Sequence, residues 1–324
     1  MTFFVILIAL FLAMNVGANN TAAEMEAAYR AGVRTKKEAL VLIAVFVILG
    51  AIIVGLPVVK TLGGGLVPQR TFKAYFYIVF VVMAVAAVFD FISNIFKISI
   101  PTSYAIVSSI AAVGLYYKSL SVDKSLMILK WWIVSPIVVF IVVFLVGKFL
   151  NLKFIKSLGK LKTRGKVKAL LGAMLSFSGC YVAFAGGANG AAKAMGPVVA
   201  AGMIDNRWGV LLGGVGIAAG ALIFGKIALE AGDREIAEIG FVRAILIEVI
   251  CATVLLLASL DGIPLSVSVT VSSSLIGLGC ADLGFRQSLR RHHAIRAGFI
   301  WFVVPLVSVG LTYFFLHTLG HIFK

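Results

Sequence analysis

Acidic residues are scarce in this chain: 13 Asp and Glu stand against 29 Lys and Arg in 324 residues, and charged residues of both signs make up only 13%. Apolar types make up 61%, more than one soluble core can enclose, so a soluble globular domain is excluded. Cysteine is also sparse. Cys180, Cys251 and Cys280 fall within apolar segments, without the spacing of a metal site or a disulfide framework, and read as packing residues. The apolar stretches run unbroken for about 17 to 22 residues without period-two alternation, which excludes an outer-membrane barrel and calls for spanning helices. The opening MTFFVILIALFLAMNVGA lacks a basic leader and a clear cleavage site, and is expected to be a retained first span.

Apolar runs predict ten spans, at 2–18, 39–59, 74–93, 101–117, 126–147, 169–186, 208–229, 241–260, 264–282 and 297–318. Basic residues lie between them, as topology signals do, so a lipid bilayer and not nucleic acid is the expected partner. With the first loop in the cytoplasm, 20 of the 29 basic residues fall inside and 8 outside, while Lys193 sits within an apolar motif. This bias predicts a multi-pass protein of the cell (inner) membrane with both termini outside. The basic cytoplasmic linker at 148–168 then separates a first repeat, 1–147, from a second, 169–324. Five spans in each half invert the second half relative to the first.

Internal similarity supports that division. Shifted by 170 residues, Ala13 to Gly32 matches Ala183 to Gly202 at eight of twenty positions, among them Gly17 with Gly187, Asn19 with Asn189, and Met25 with Met195. At an offset of 163, PTSYAIVSSIAAVGL (from Pro101) matches PLSVSVTVSSSLIGL (from Pro264) in Pro, two Ser, Gly and Leu. Inverted repeats with corresponding Gly, Asn and Pro interruptions point to a secondary transporter whose site lies between the halves. Gly-x-Asn at membrane depth is expected to break its helix and leave backbone groups facing a cavity or buried protein. The Gly209/Gly213 and Gly216/Gly220 pairs read instead as close helix packing.

These four segments resemble the inorganic phosphate transporter family, whose halves each carry a G-x-N-D/N-x-A-N-A motif followed by P-x-S-T-T/S. Here they read GANNTAAEM from Gly17, GANGAAKAMGP from Gly187, PTSYA and PLSVS. The segment FSGCYVAFAGGANGAAKAMGPVVAAG and the short linker are most similar to the sulfate permease branch. The resemblance implies an all-α fold of two inverted repeats, with broken helices at the GAN motifs and an anion at the helix starts, where N–H groups and positive dipole ends favour it. On that reading the substrate-binding residues are Asn19, Asn20, Thr21, Ser103, Asn189, Gly190, Ala191, Lys193, Ser266 and Ser268, with Gly190 and Ala191 acting through backbone. Ser108, Ser109, Ser272, Ser273 and Ser274 read as hydrogen bonding among helices.

Departures from the family pattern bear on coupling. Asn20 and Gly190 stand where the sodium/phosphate pattern has Asp, removing two carboxylates suited to a hard cation, and Lys193 stands where Asn is usual. A lysine in an apolar segment is functional by default, so Lys193 is expected to face the anion or pair with Glu24. Glu24, beside the motif, is the coupling candidate; Asp90, Glu248 and Asp282 are further acids at membrane depth or at its boundary, and Glu26 is expected to face solvent. The expected function is uptake of a tetrahedral oxyanion, sulfate favoured and phosphate or thiosulfate the other candidates, by proton symport. The alternatives are a sodium/phosphate symporter of the same family and an anion channel or exporter. Beyond the co-transported proton or sodium ion, no cofactor is expected, and homodimerisation is compatible with the sequence. His292 with His293, and His317 with His321, lack further ligands, so neither an enzyme nor a metal site is expected.

Overall fold

The computed structural model describes residues 2–75, 77–96, 100–150, 165–231, 240–290 and 292–322. Every expected span falls on a helix. These are α1 (Thr2–Arg30), α2 (Lys36–Val54), α5 (Tyr77–Phe96), α6 (Thr102–Tyr116), α7 (Val122–Leu150), α8 (Gly165–Ala200), α9 (Asn206–Ala231), α10 (Phe241–Leu260), α11 (Val267–Leu283) and α13 (His292–Ile322). Short helices α3 (Leu56–Lys60), α4 (Gln69–Ala74) and α12 (Phe285–Leu289), with a π-turn over Thr61–Gly65, link them. The chain is an all-α, multi-pass membrane protein: seven of its described helices, α1, α2, α7, α8, α9, α10 and α13, are long and apolar enough to cross a bilayer.

Ten full spans were expected, and three prove shorter: the apolar parts of α5, α6 and α11 cover Tyr77–Asp90, Thr102–Tyr116 and Val267–Leu283. At 1.5 Å per residue, α6 is about 23 Å long against a hydrocarbon core of about 30 Å. The reason is local. Proline at 101 and 264 removes a backbone donor and fixes φ, so α6 and α11 start inside the protein, at the buried residues Pro101 and Ser266 to Val267.

The helix breaks expected at the two GAN motifs do not occur: α1 and α8 run unbroken through both. Glycine serves there for close approach. A Cβ on Gly17 would lie 1.9 Å from the carbonyl oxygen of Ile217 in α9, and one on Gly187 would lie 2.1 Å from that of Val47 in α2. Gly220 and Gly50 behave alike, facing the carbonyl oxygens of Met14 at 1.9 Å and Phe184 at 1.8 Å. The 170-residue offset exchanges the partners: Gly17 and Val47 correspond to Gly187 and Ile217, and Met14 and Gly50 correspond to Phe184 and Gly220.

Other features follow the same offset. The turn after α1 bonds Ala31 N to Ala27 O, Gly32 N to Tyr29 O and Val33 N to Ala28 O; the turn after α8 bonds Ala201 N to Pro197 O, Gly202 N to Val199 O and Met203 N to Val198 O. Gly32 and Gly202 both have positive φ, at 67° and 71°, a conformation glycine adopts without strain. The next helices start on N-caps, a reciprocal Thr35–Glu38 box for α2 and Asp205 Oδ1 accepting from Arg207 N and Trp208 N for α9. Helix α1 packs on α9 while α2 packs on α8, and α6 packs on α13 while α7 packs on α11. The core centres on α8, in which every residue from Ala185 to Ala200 is buried. Residues 151–164 of the predicted linker, with Lys97, Arg234, Arg291 and Lys324, lie outside the described residues.

Candidate functional site

Two helix starts meet beside α8. Ser103 Oγ, in the first turn of α6, donates to the Leu265 carbonyl just ahead of α11 at 2.6 Å. Neither α6 nor α11 has a side-chain cap, so both bring first-turn N–H groups and a positive dipole end into the interior. Asn189 holds the segment before α11 with its whole amide. Its Nδ2 donates to the Ile263 carbonyl at 2.9 Å and to Ser259 Oγ at 3.0 Å, and its Oδ1 accepts from Leu265 N at 2.9 Å. Trp132 Nε1 donates to the Pro264 carbonyl at 2.9 Å, and its ring stacks on Tyr104 with centroids 4.0 Å apart. Ser266 and Ser268 share a hydrogen bond of 2.7 Å.

Charge gathers at the same place. Lys193, one turn beyond Asn189 on α8, is 3% exposed, and the acids that act on it electrostatically are Asp90 and Glu24. Helical side chains lean toward the N-terminus, which directs the lysine back along α8 toward both. Asp90 Oδ1 accepts from Thr102 Oγ1 at 2.9 Å, tying α5 to the first residue of α6, while Asp90 Oδ2 is buried without a hydrogen bond. Both Glu24 carboxylate oxygens are buried without one, and Oε1 lies 2.8 Å from where a Cβ of Gly186 would be. Buried polar atoms left unpaired are costly, and here they cluster around a buried cation.

Of the expected site residues, the structure brings together Ser103, Asn189, Lys193, Ser266 and Ser268, with Glu24 adjoining. The others lie apart. Asn19 is exposed, and Thr21 is bonded to the Gly17 carbonyl at 2.8 Å and faces Gly225 of α9. Asn20, four residues before Glu24, is half-buried with its Nδ2 unpaired. Gly190 and Ala191 lie inside unbroken α8 against Ile217 and Gly213, and their N–H groups belong to the helix ladder instead of a free helix start. Thr102 and Trp132 were not singled out from the sequence; the proline ahead of Thr102 was the available signal. Ser109, Ser273 and Ser274 bond to carbonyls of their own helices. Glu26, expected to face solvent, is buried instead, and Arg30 one turn on pairs with it at 2.5 Å.

Residues 16–312 match the model of the phosphate transporter family. The chain belongs to that family. It is a transporter and not an enzyme. The transporter is 35% identical over 310 residues to the sulfate permease CysP of Bacillus subtilis, an alignment covering 95% of this chain and 85% of that one. It is 22% identical to the chloroplastic inorganic phosphate transporter 2-1 of Arabidopsis thaliana, over 85% of this chain and 65% of that protein. A solved structure of a sodium-dependent phosphate transporter shares its fold, with a TM-score of 0.84, 20% sequence identity and 99% of each chain covered. Family membership establishes secondary transport of an inorganic oxyanion of the phosphate or sulfate type across a bilayer.

Proposed function

We propose that the transporter binds a tetrahedral oxyanion between the starts of α6 and α11, against Lys193, and carries it into the cell. The observation that carries this reading is a buried lysine beside two uncapped helix starts, which together supply a full positive charge and free N–H donors to an anion. Ser103, Ser266 and Ser268 add hydroxyls, and Asn189 sets the position of the segment before α11. Two inverted repeats, 1–147 and 169–324, are supported by the exchanged contacts of Gly17 with Ile217 and Gly187 with Val47, and by the antiparallel run of α1 along α8: Val16 neighbours Gly190, and Glu24 neighbours Gly179. The charge bias favours an inner-membrane protein with both termini outside.

Substrate and driving ion have two readings. Phosphate with sodium has the broader support among the comparisons, from the family description, the plant phosphate transporter and the sodium-dependent structure. Sulfate with protons is favoured by the match to a sulfate permease over 95% of the chain, and by Lys193 occupying the centre where a co-transported metal cation would meet like charge. Coupling is needed in either case. A potential of 100 mV opposes each entering negative charge by about 2.3 kcal/mol, and a dianion by about twice that. Uptake of radiolabelled sulfate and phosphate into proteoliposomes, under imposed proton or sodium gradients, separates the readings. Phosphate accumulation driven by sodium establishes the first, sulfate accumulation driven by protons the second, and accumulation of neither anion under either gradient removes both.

A further inference from the structure

Glu248 on α10 has no part in the anion site, yet it is a carboxylate buried at membrane depth, 7% exposed. Ser178 of α8 donates a hydrogen bond to its Oε2. Glu248 also forms part of the wall of a small cavity between α1, α8, α10 and α11, whose other walls include Ala23, Ala27, Val182 and Val271. The cavity is about 20 Å³, room for about one water molecule, and the carboxylate supplies a polar partner that a purely apolar void lacks.

Three positions on α8 order these features. Gly186 lies under the Glu24 carboxylate, Val182 lines the cavity, and Ser178 holds Glu248. They are spaced i, i+4, i+8 on one face, so they form a stripe about 12 Å long. Ala23 and Ala27, in the turn of α1 that carries Glu24, close the cavity from the other side. The stripe runs from the anion site toward the end of the bundle carrying Arg30, Arg34 and Arg243, which the charge bias places in the cytoplasm.

We propose that Glu248 is the second station of a proton path: protonated Glu24, whose carboxylate lies at Gly186 one helical turn from the cavity wall at Val182, gives its proton to water entering along this stripe, and the water in the cavity passes a proton to the Glu248 carboxylate. Glu24 is left as carboxylate and Glu248 as carboxylic acid, and the water is regenerated. No other bond changes. Ser178, as donor, holds the Glu248 carboxylate ready to receive. Glu248 is a positioning and relay residue that does not touch the anion. Its titratable neighbours are Cys180 on α8 and Cys251 on its own helix. Of the nearby charges, Arg34 is bonded to Ser176, Arg30 to Glu26, and Arg243 to Asp282, while Lys148 stands at the end of α7 and Lys166 and Lys168 in the first turn of α8.

The inference rests on the proton-driven reading, and one assay separates the two. Full-length wild-type protein in proteoliposomes is given an inward proton gradient with radiolabelled sulfate and, separately, phosphate. If neither accumulates, the proton-driven reading fails by itself. If one does, Glu248→Gln is expected to keep exchange of that anion across the membrane without a gradient, and to lose gradient-driven accumulation by about tenfold per coupled proton for each pH unit imposed. Val182→Ile, which fills the space of about one water, is expected to reduce accumulation in the same direction with both carboxylates intact. Accumulation in Glu248→Gln within about twofold of wild type overturns the path. So does full accumulation in Val182→Ile where Glu248→Gln has lost exchange, and so does loss of exchange in both variants, because a path beside the anion site leaves exchange intact.

Discussion

Gly17 and Ile217 meet backbone to backbone: a Cβ on the glycine would stand 1.9 Å from the isoleucine carbonyl oxygen. Its counterpart, Gly187 against Val47, lies 170 residues away on both sides of the contact, at 2.1 Å. Small residues that let helices approach this closely replace the hydrophobic drive that lipid cannot supply. Gly17→Ala and Gly187→Ala must therefore push α1 from α9 and α8 from α2. Each is expected to cost about 1–3 kcal/mol or more, seen as a lower melting temperature in detergent. Gly298→Ala, where a Cβ meets nothing within 4 Å, is the control and leaves the temperature unchanged. Equal melting temperatures for all three would contradict the packing.

Asn189 uses two hydrogen bonds to place Ile263 to Leu265 and a third to Ser259 of α10. Asn189→Leu keeps the volume and strands the Leu265 N–H and the Ile263 carbonyl, at about 1–3 kcal/mol for each group. The expected outcome is weaker anion binding together with lower thermal stability. Binding that stays at the wild-type level would show that the segment before α11 does not shape the site.

Thr102 ties Asp90 to the start of α6. A hydrogen bond to a charged group contributes about 1.5–3 kcal/mol, so Thr102→Val is expected to lower anion affinity by about tenfold or more. Thr102→Ser, which keeps the hydroxyl, restores it. Titrations of both variants in which valine and serine behave alike would remove the hydroxyl from the account.

Arg243 and Asp282 pair at 2.7 Å and 3.1 Å where both side chains are partly exposed. Solvent screens such a pair, so Asp282→Asn is expected to change stability by less than about 1 kcal/mol and to leave anion uptake unaltered. A large loss of uptake would assign the pair a gating role.

The sequence made the helices legible, because an apolar run of about 20 residues has few other fates. It also exposed the repeat, because the 170-residue offset that aligns Gly17 with Gly187 also relates their packing partners. The candidate site was legible in part. Ser103, Lys193 and Ser266 were named, since proline starts a helix and a buried lysine requires company. Asn19 and Asn189 illustrate the limit. They occupy equivalent positions in the repeat, yet one is exposed and the other fully buried, because α8 is buried all round from Ala185 to Ala200 and α1 is not buried all round at Asn19. Gly-x-Asn suggested a break where the structure has continuous helix, since glycine permits close approach as readily as it permits a bend. The link between Asp90 and Thr102 depends on α5 and α6 lying side by side, which no local pattern encodes.

The central claim is that the anion sits against Lys193 at the starts of α6 and α11. Equilibrium binding of sulfate and of phosphate to the purified protein, wild type against Lys193→Ala, tests it most directly. Removing a buried charged donor is expected to weaken binding of the transported anion by about tenfold or more. Equal affinity in the two proteins would place the anion elsewhere and contradict the account.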